Sequence, residues 1–129
     1  MRDSAAFLRR ALGAEALAEA AAGRRRLAAL DAGAGVGRVA EALLLQHCAV
    51  VDLVEPSAHL LAAAERRLAA PPAGRWPEGH AAERFTCVGL EGCAPEAGRY
   101  DIVWVQWALM YLTDGARARE EGSLPCCFA

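Results

Sequence analysis

No two cysteines stand in C-x-x-C spacing, and the five present, Cys48, Cys87, Cys93, Cys126 and Cys127, are odd in number. Such a set gives neither a disulfide framework nor a zinc site, so no metal ligands are expected. Reduced thiols of a cytosolic or nuclear protein are the plain reading. Long apolar runs are missing too. None approaches the roughly 20 residues that span a bilayer, and the first residues lack the apolar core of a signal peptide. An excess of charge is also absent. A net charge of −2 over 129 residues gives no electrostatic reason for contact with nucleic acid or an anionic membrane. The one basic run, Arg24, Arg25 and Arg26, reads as a solvated turn. There is no internal repeat, and no low-complexity segment beyond an alanine bias.

What is present is a globular composition, 55% hydrophobic and 23% charged, in a length that fits one domain. Residues 3–22 carry Phe7, Leu8, Ala11 and Leu12 at helical spacing, with Gly13 placed to divide the helix. Leu27 to Ala32 reads as a first buried strand and Gly37 to Leu45 as a helix. Ala49 to Glu55 is a second strand, apolar on both faces except at Asp52, as an interior parallel strand should be. Pro56 and Ser57 open a helix from Ala58 to Ala70, with His59 exposed on its first turn. A proline- and glycine-rich loop spans 71–83, where Trp76 packs locally. Arg84 to Val88 is a short third strand, followed by Gly89, Leu90 and Glu91. Asp101 to Gln106 is the fourth. Alternation of this kind predicts an α/β fold with a parallel sheet. Right-handed crossovers put strand one between strands two and four. The switch point then falls between strands one and four, at the glycines and Gln106.

Leu30-Asp-Ala-Gly-Ala-Gly-Val-Gly-Arg38 is the stretch around which the chain is organised. Its glycines fall where a strand ends and a helix begins, the place where open α/β sheets bind ligands. The spacing, Gly33-x-Gly35-x-Gly37, departs from the dinucleotide pattern G-x-G-x-x-G, and Asp31 sits two residues before the first glycine. A carboxylate there suits a pyrophosphate poorly. It suits a ligand with an amine and a ribose, and S-adenosyl-L-methionine (SAM) has both. Glu55 ends the second strand 22 residues after Gly33, where a ribose hydroxyl pair would be met. A carboxylate accepts from two vicinal hydroxyls. A backbone N–H near Leu90 and Glu91 would meet an adenine edge. Gln106 and Trp107 project from the end of the fourth strand.

LDAGAGVGR, VVDLVEPS, FTCVGLEG and YDIVWVQWALMYLTD together resemble the alpha-N-terminal protein methyltransferases, and the WVQW stretch followed by LTD is the most specific part. The likeness runs from about Phe7 to Asp114. It implies a Rossmann-like class I methyltransferase fold, with SAM as cofactor and a protein beginning Xaa-Pro-Lys as substrate. Methylation of the free α-amino group is the implied reaction. Carried over, it implies that Gly33, Gly35 and Arg38 meet the amino acid end of SAM. Glu55, Pro56 and Ser57 would hold the ribose side, Leu90 and Glu91 would flank the adenine, and Gln106 would contact the methionine moiety. Trp107 would line the pocket for the substrate's N-terminus. No direct nucleic acid or membrane partner is implied, and the expected locations are nucleus and cytoplasm.

The sequence departs from the family in places. Glu55 stands where the family usually has Asp. Tyr111 stands where it often has His, and with a pKa near 10 it is the catalytic candidate that survives. Asp114 is read as the cap of a following helix. Loop 71–83 is longer. After Asp114 the tail GARAREEGSLPCCFA departs from the family's helix and three further strands. The expectation is therefore a chain shortened at its C-terminus, with only the first four strands. It divides into a helical segment 1–26, a SAM-binding domain 27–114 and a divergent tail 115–129. Strand four would carry an open apolar edge, partly covered by the last residues. A non-catalytic SAM-binding or partner-binding fragment is the alternative function.

Overall fold

Strands that are apolar on both faces are buried only inside a covered parallel sheet, and the valine- and leucine-rich runs lie in one. The computed structural model describes residues 2–106 and 126–128. β1 (Ala28–Ala32), β2 (Val50–Val54), β3 (Ala81–Thr86), β4 (Ile102–Val105) and β5 (Cys126–Phe128) form a sheet in the order β3-β2-β1-β4-β5. Every pairing is parallel. β1 lies between β2 and β4, as the right-handed crossover rule requires. The strand order therefore reverses at β1, and the crevice opens at its carboxyl end.

Helices α1 (Arg2–Leu12), α2 (Ala14–Ala21), α3 (Leu45–His47) and α4 (Ala58–Ala69) accompany the sheet. Leu8 and Ala16 of the first two join Leu61, Ala64 and Leu68 of α4 in one core with Ala29, Val51, Leu53, Ile102 and Trp104. The Ser57 hydroxyl accepts the Leu60 N–H and caps α4. Between β1 and α3 the chain winds as a π-helix over Ala40–Leu44. The Leu45 N–H reaches back to the Ala40 carbonyl. This turn, with Ala40, buries all three consecutive leucines, Leu43, Leu44 and Leu45. The opposite face of the sheet carries a smaller cluster, Leu30, Ala32, Val54, Val103 and Val105, with Leu90 laid over it.

Two expectations change. The third strand begins at Ala81, not Arg84, and ends at Thr86. Alanine has little strand preference, so Ala81 and Ala82 carry no local strand signal. Pairing with β2 decided the matter, with Val50 against Ala81 and Val51 against Ala82. The four expected strands are present, and a fifth is added. Cys126–Phe128 runs parallel to β4, with Val103 against Cys126 and Val105 against Phe128. The edge of β4 expected to be open is therefore paired along these residues, which satisfies backbone groups that an open edge leaves bare. Trp76 packs locally as expected, its indole donating to the His80 carbonyl at 2.8 Å. His59 is exposed.

Asp52, the one acidic residue inside β2, is buried, and its partners account for it. Oδ1 accepts the Arg84 N–H at 3.1 Å. Oδ2 accepts from Arg99 Nε at 2.8 Å and from the Tyr100 hydroxyl at 2.6 Å. Burial alone would raise this carboxyl, but the Arg99 and Tyr100 hydrogen bonds outweigh it and hold it below the ordinary range. The stabilisation is thus present above the unfolded value near pH 4 and is lost as pH falls through the depressed one. Tyr100→Phe is expected to cost about 1.5 kcal/mol in urea unfolding at neutral pH, the lower end for a hydrogen bond to a charged group. The ring itself stays against Arg99. An unchanged midpoint would show that the hydroxyl contributes nothing.

Candidate cofactor site

The loop from β1 to the π-helical turn takes its shape from its glycines. Gly33, Gly35 and Gly37 have φ of +78°, +57° and +80°, a region that side chains rarely enter. Four of its amides are engaged internally. Gly33 and Ala34 both donate to the Val54 carbonyl, at 2.8 and 3.0 Å, and Gly37 donates to Ala34 at 3.0 Å. Gly35 N–H donates to Glu55 Oε2 at 2.8 Å. A phosphate cradle needs such amides turned outward. These hold the loop to the end of β2 instead, so a pyrophosphate finds few donors here.

Glu55 is the tie between the two strand ends. It is 7% exposed, and its Oε1 accepts the Ser57 N–H at 3.0 Å while Oε2 takes Gly35. A carboxylate has about four acceptor positions, which leaves room for two hydroxyl donors. The next loop joins the same wall. A Cβ on Gly89 would lie 3.9 Å from Pro56 Cβ, and Cys87 Sγ donates to the Pro56 carbonyl at 3.5 Å. The ends of β1, β2 and β3 therefore converge on one crevice.

Asp31, the acid that the sequence suggested would suit a ligand amine but to which no specific contact was assigned, stands out in the structure. It is 2% exposed, and its Oδ2 has no hydrogen-bond partner. Burial pushes its carboxyl up to about 7, against a lowering by the Ala40 backbone hydrogen bond and a further rise from Glu55. Buried acceptors without partners are uncommon in native folds and call for an explanation. An ammonium group of a ligand would supply the missing donor and the missing counter-charge. A Cβ on Gly35 would meet nothing within 4 Å, so the loop leaves open space on that side. The donor and acceptor set therefore fits a molecule with an ammonium and a ribose.

The remaining expected residues divide. Gln106 follows β4 and is half-buried, its Oε1 accepting from Trp104 Nε1 at 3.1 Å. Pro56, Glu91 and Arg38 are exposed, and Arg38 makes no ion pair among the described residues. Ser57 has its hydroxyl engaged as a helix cap. Leu90, in a 3-10 turn over Leu90–Gly92, is buried among Leu30, Val54 and Val105. Trp107, Tyr111 and Asp114 lie outside the described residues. Asp31 was legible as an acid at a strand end; that one oxygen would be left without a partner depends on packing.

A family model described as AdoMet dependent proline di-methyltransferase matches residues 1–118. The chain belongs to this family. Among curated relatives, alpha N-terminal protein methyltransferase 1 of Oryza sativa subsp. indica is 44% identical over 115 residues, 88% of this chain and 36% of its own length. The N-terminal Xaa-Pro-Lys N-methyltransferase 1 of Mus musculus is 41% identical over 86 residues, 67% of this chain and 35% of its own. A solved SAM-dependent methyltransferase from Leishmania major superposes with a TM-score of 0.63 at 33% identity, covering 75% of this chain and 36% of that one. Magnesium protoporphyrin IX methyltransferase of Synechocystis, solved with bound SAM, gives 0.56 at 26%, covering 77% and 44%. This proline methyltransferase family member thus has a class I methyltransferase fold. It spans about a third of the length of the curated relatives it matches. No helix among its described residues is long and apolar enough to cross a membrane.

Proposed function

We propose that this chain binds SAM in the crevice at the carboxyl ends of β1, β2 and β4, as the cofactor-binding part of a protein N-terminal methyltransferase. The observation that carries the reading is the buried, unpartnered Oδ2 of Asp31 beside a glycine loop whose amides are already engaged. Asp31 would take the ammonium of the amino acid moiety. Glu55 would accept from the ribose hydroxyls. Gly33 and Gly35 would let the ligand approach the backbone, with Arg38 at the mouth near its carboxylate. Pro56, Ser57, Leu90 and Glu91 would form the wall along the adenosine, and Gln106 would reach the methionine part. The substrate proposed is a protein N-terminus of the Xaa-Pro-Lys type, met by Trp107, with Tyr111 as the catalytic candidate. Nucleus and cytoplasm are the proposed locations.

Bound SAM supplies a methyl group on a sulfonium, a leaving group built into the cofactor. The chain's own task is then positioning and keeping the incoming amine neutral. An α-amino group has a pKa of roughly 7.7–8.0, so the proton to be removed is weakly held. Titration calorimetry of the 129-residue chain with SAM, followed by incubation with a peptide beginning Ser-Pro-Lys, tests both parts. Saturable binding and a mass gain on the peptide N-terminus are expected. Binding with no mass gain would reduce the function to a non-catalytic SAM-binding fragment. Absence of binding by folded protein would remove the cofactor reading.

A further inference from the structure

Trp104 is fully buried in β4, and its ring edge meets Phe7 of α1 at 5.9 Å between centroids. What distinguishes tryptophan is the indole N–H, which donates to Gln106 Oε1 at 3.1 Å. An indole N–H only donates, so the atom it faces must be the amide oxygen. The carboxamide therefore cannot turn over without setting its NH2 against another donor. Nε2, with two hydrogens, is left on the side away from Trp104. Trp104 stands opposite Asp31 in the β1–β4 register, so the row leads from a buried indole beside the orphaned carboxylate to a fixed donor at the strand end.

We infer that Trp104 is a positioning residue: through its indole it locks the Gln106 carboxamide so that Nε2 presents donors to an acceptor on the bound ligand, a carboxylate being the group in SAM that matches. The proposal rests on the cofactor reading above. Trp104 touches no ligand itself. Its effect passes through one hydrogen bond, and its removal leaves Gln106 free to offer oxygen instead of nitrogen, which a carboxylate repels.

The test is a double-mutant cycle on SAM affinity in the full chain, with Trp104→Phe, Gln106→Ala and the pair. Trp104→Phe is expected to weaken SAM about three- to tenfold, the range of a single net hydrogen bond. In the Gln106→Ala background the same change is expected to have no further effect. A purely structural role of the ring would weaken binding equally in both backgrounds, and that additivity would overturn the proposal. So would wild-type affinity in Trp104→Phe. The indole N–H resonance in a nitrogen–proton spectrum provides a readout without cofactor. It is expected to shift in Gln106→Ala, and an unmoved resonance would also overturn the proposal. A shifted resonance in a chain that binds no SAM would overturn the cofactor reading, and with it any positioning role, leaving the contact a structural one.

Discussion

Replacing Asp31 by asparagine is expected to stabilise the ligand-free chain at pH 8 while weakening SAM. The carboxyl is moved from an ordinary 3.8 to about 7, chiefly by burial. The folded state therefore holds a proton that the unfolded state has released between about pH 4 and pH 7. Stability from this group is fully present below pH 4 and falls as pH rises through about 7, by roughly 4 kcal/mol. Asparagine cannot titrate, so its advantage over the wild type should grow by about that amount from pH 4 to pH 8. Parallel urea titrations at several pH values measure the difference directly. Coincident curves would mean that the carboxylate is not left alone in the folded chain. The functional side has the opposite sign. A ligand ammonium favours the ionised form, so SAM binding below pH 7 should expel a proton. Calorimetry in two buffers of different ionisation heat reads that proton. At pH 8 the asparagine variant should bind at least tenfold more weakly, since a charge-assisted contact is lost.

Gly37→Val is expected to destabilise the chain by about 3–5 kcal/mol, a large share of the 5–15 kcal/mol that holds a typical domain. Two terms combine. A φ of +80° costs an L-residue about 1–2 kcal/mol, more when it is β-branched. A Cβ would also sit 3.3 Å from Ala64 Cβ and Leu68 Cδ1 of α4, and the added methyls overpack that contact at about 1–3 kcal/mol. The backbone is held from both sides, since Gly37 donates to Ala34 and accepts from Glu41 at 3.0 Å each. Gly35 makes the contrast. An added Cβ meets nothing there, so Gly35→Ala should cost only the φ strain and act mainly on SAM affinity. Thermal melts with SAM titrations of the two variants separate these effects. Equal stability losses would show that the third glycine is not a packing glycine.

Each glycine of the run thus has a different task, and the spacing alone did not reveal it. Gly37 falls one residue earlier than a dinucleotide pattern allows, and it is a packing glycine, its Cβ position lying against Ala64 and Leu68 of α4. The loop amides of Gly33, Ala34 and Gly35 are engaged by Val54 and Glu55, and this follows from β2 lying beside β1. Leu90 and Gln106 were both placed at strand ends by periodicity. Periodicity could not show that Leu90 is buried beneath the crevice while Gln106 is held at its edge by Trp104.

The parallel sheet, the place of strand one between strands two and four, and the crevice at the end of β1 were legible in the residues themselves; the place of β3 beside β2 came from the structure. The first three were legible because continuous apolar runs, helical spacing and glycines at a strand end are local signals, and crossover handedness then sets strand one between the other two. Tertiary structure alone decided where β3 begins, that Cys126–Phe128 pairs with β4, how Asp52 is satisfied, and that Asp31 Oδ2 is left without a partner. These depend on which groups from distant parts of the chain meet across the sheet. A residue's need for a partner is written in its chemistry; whether the partner arrives is settled only by packing.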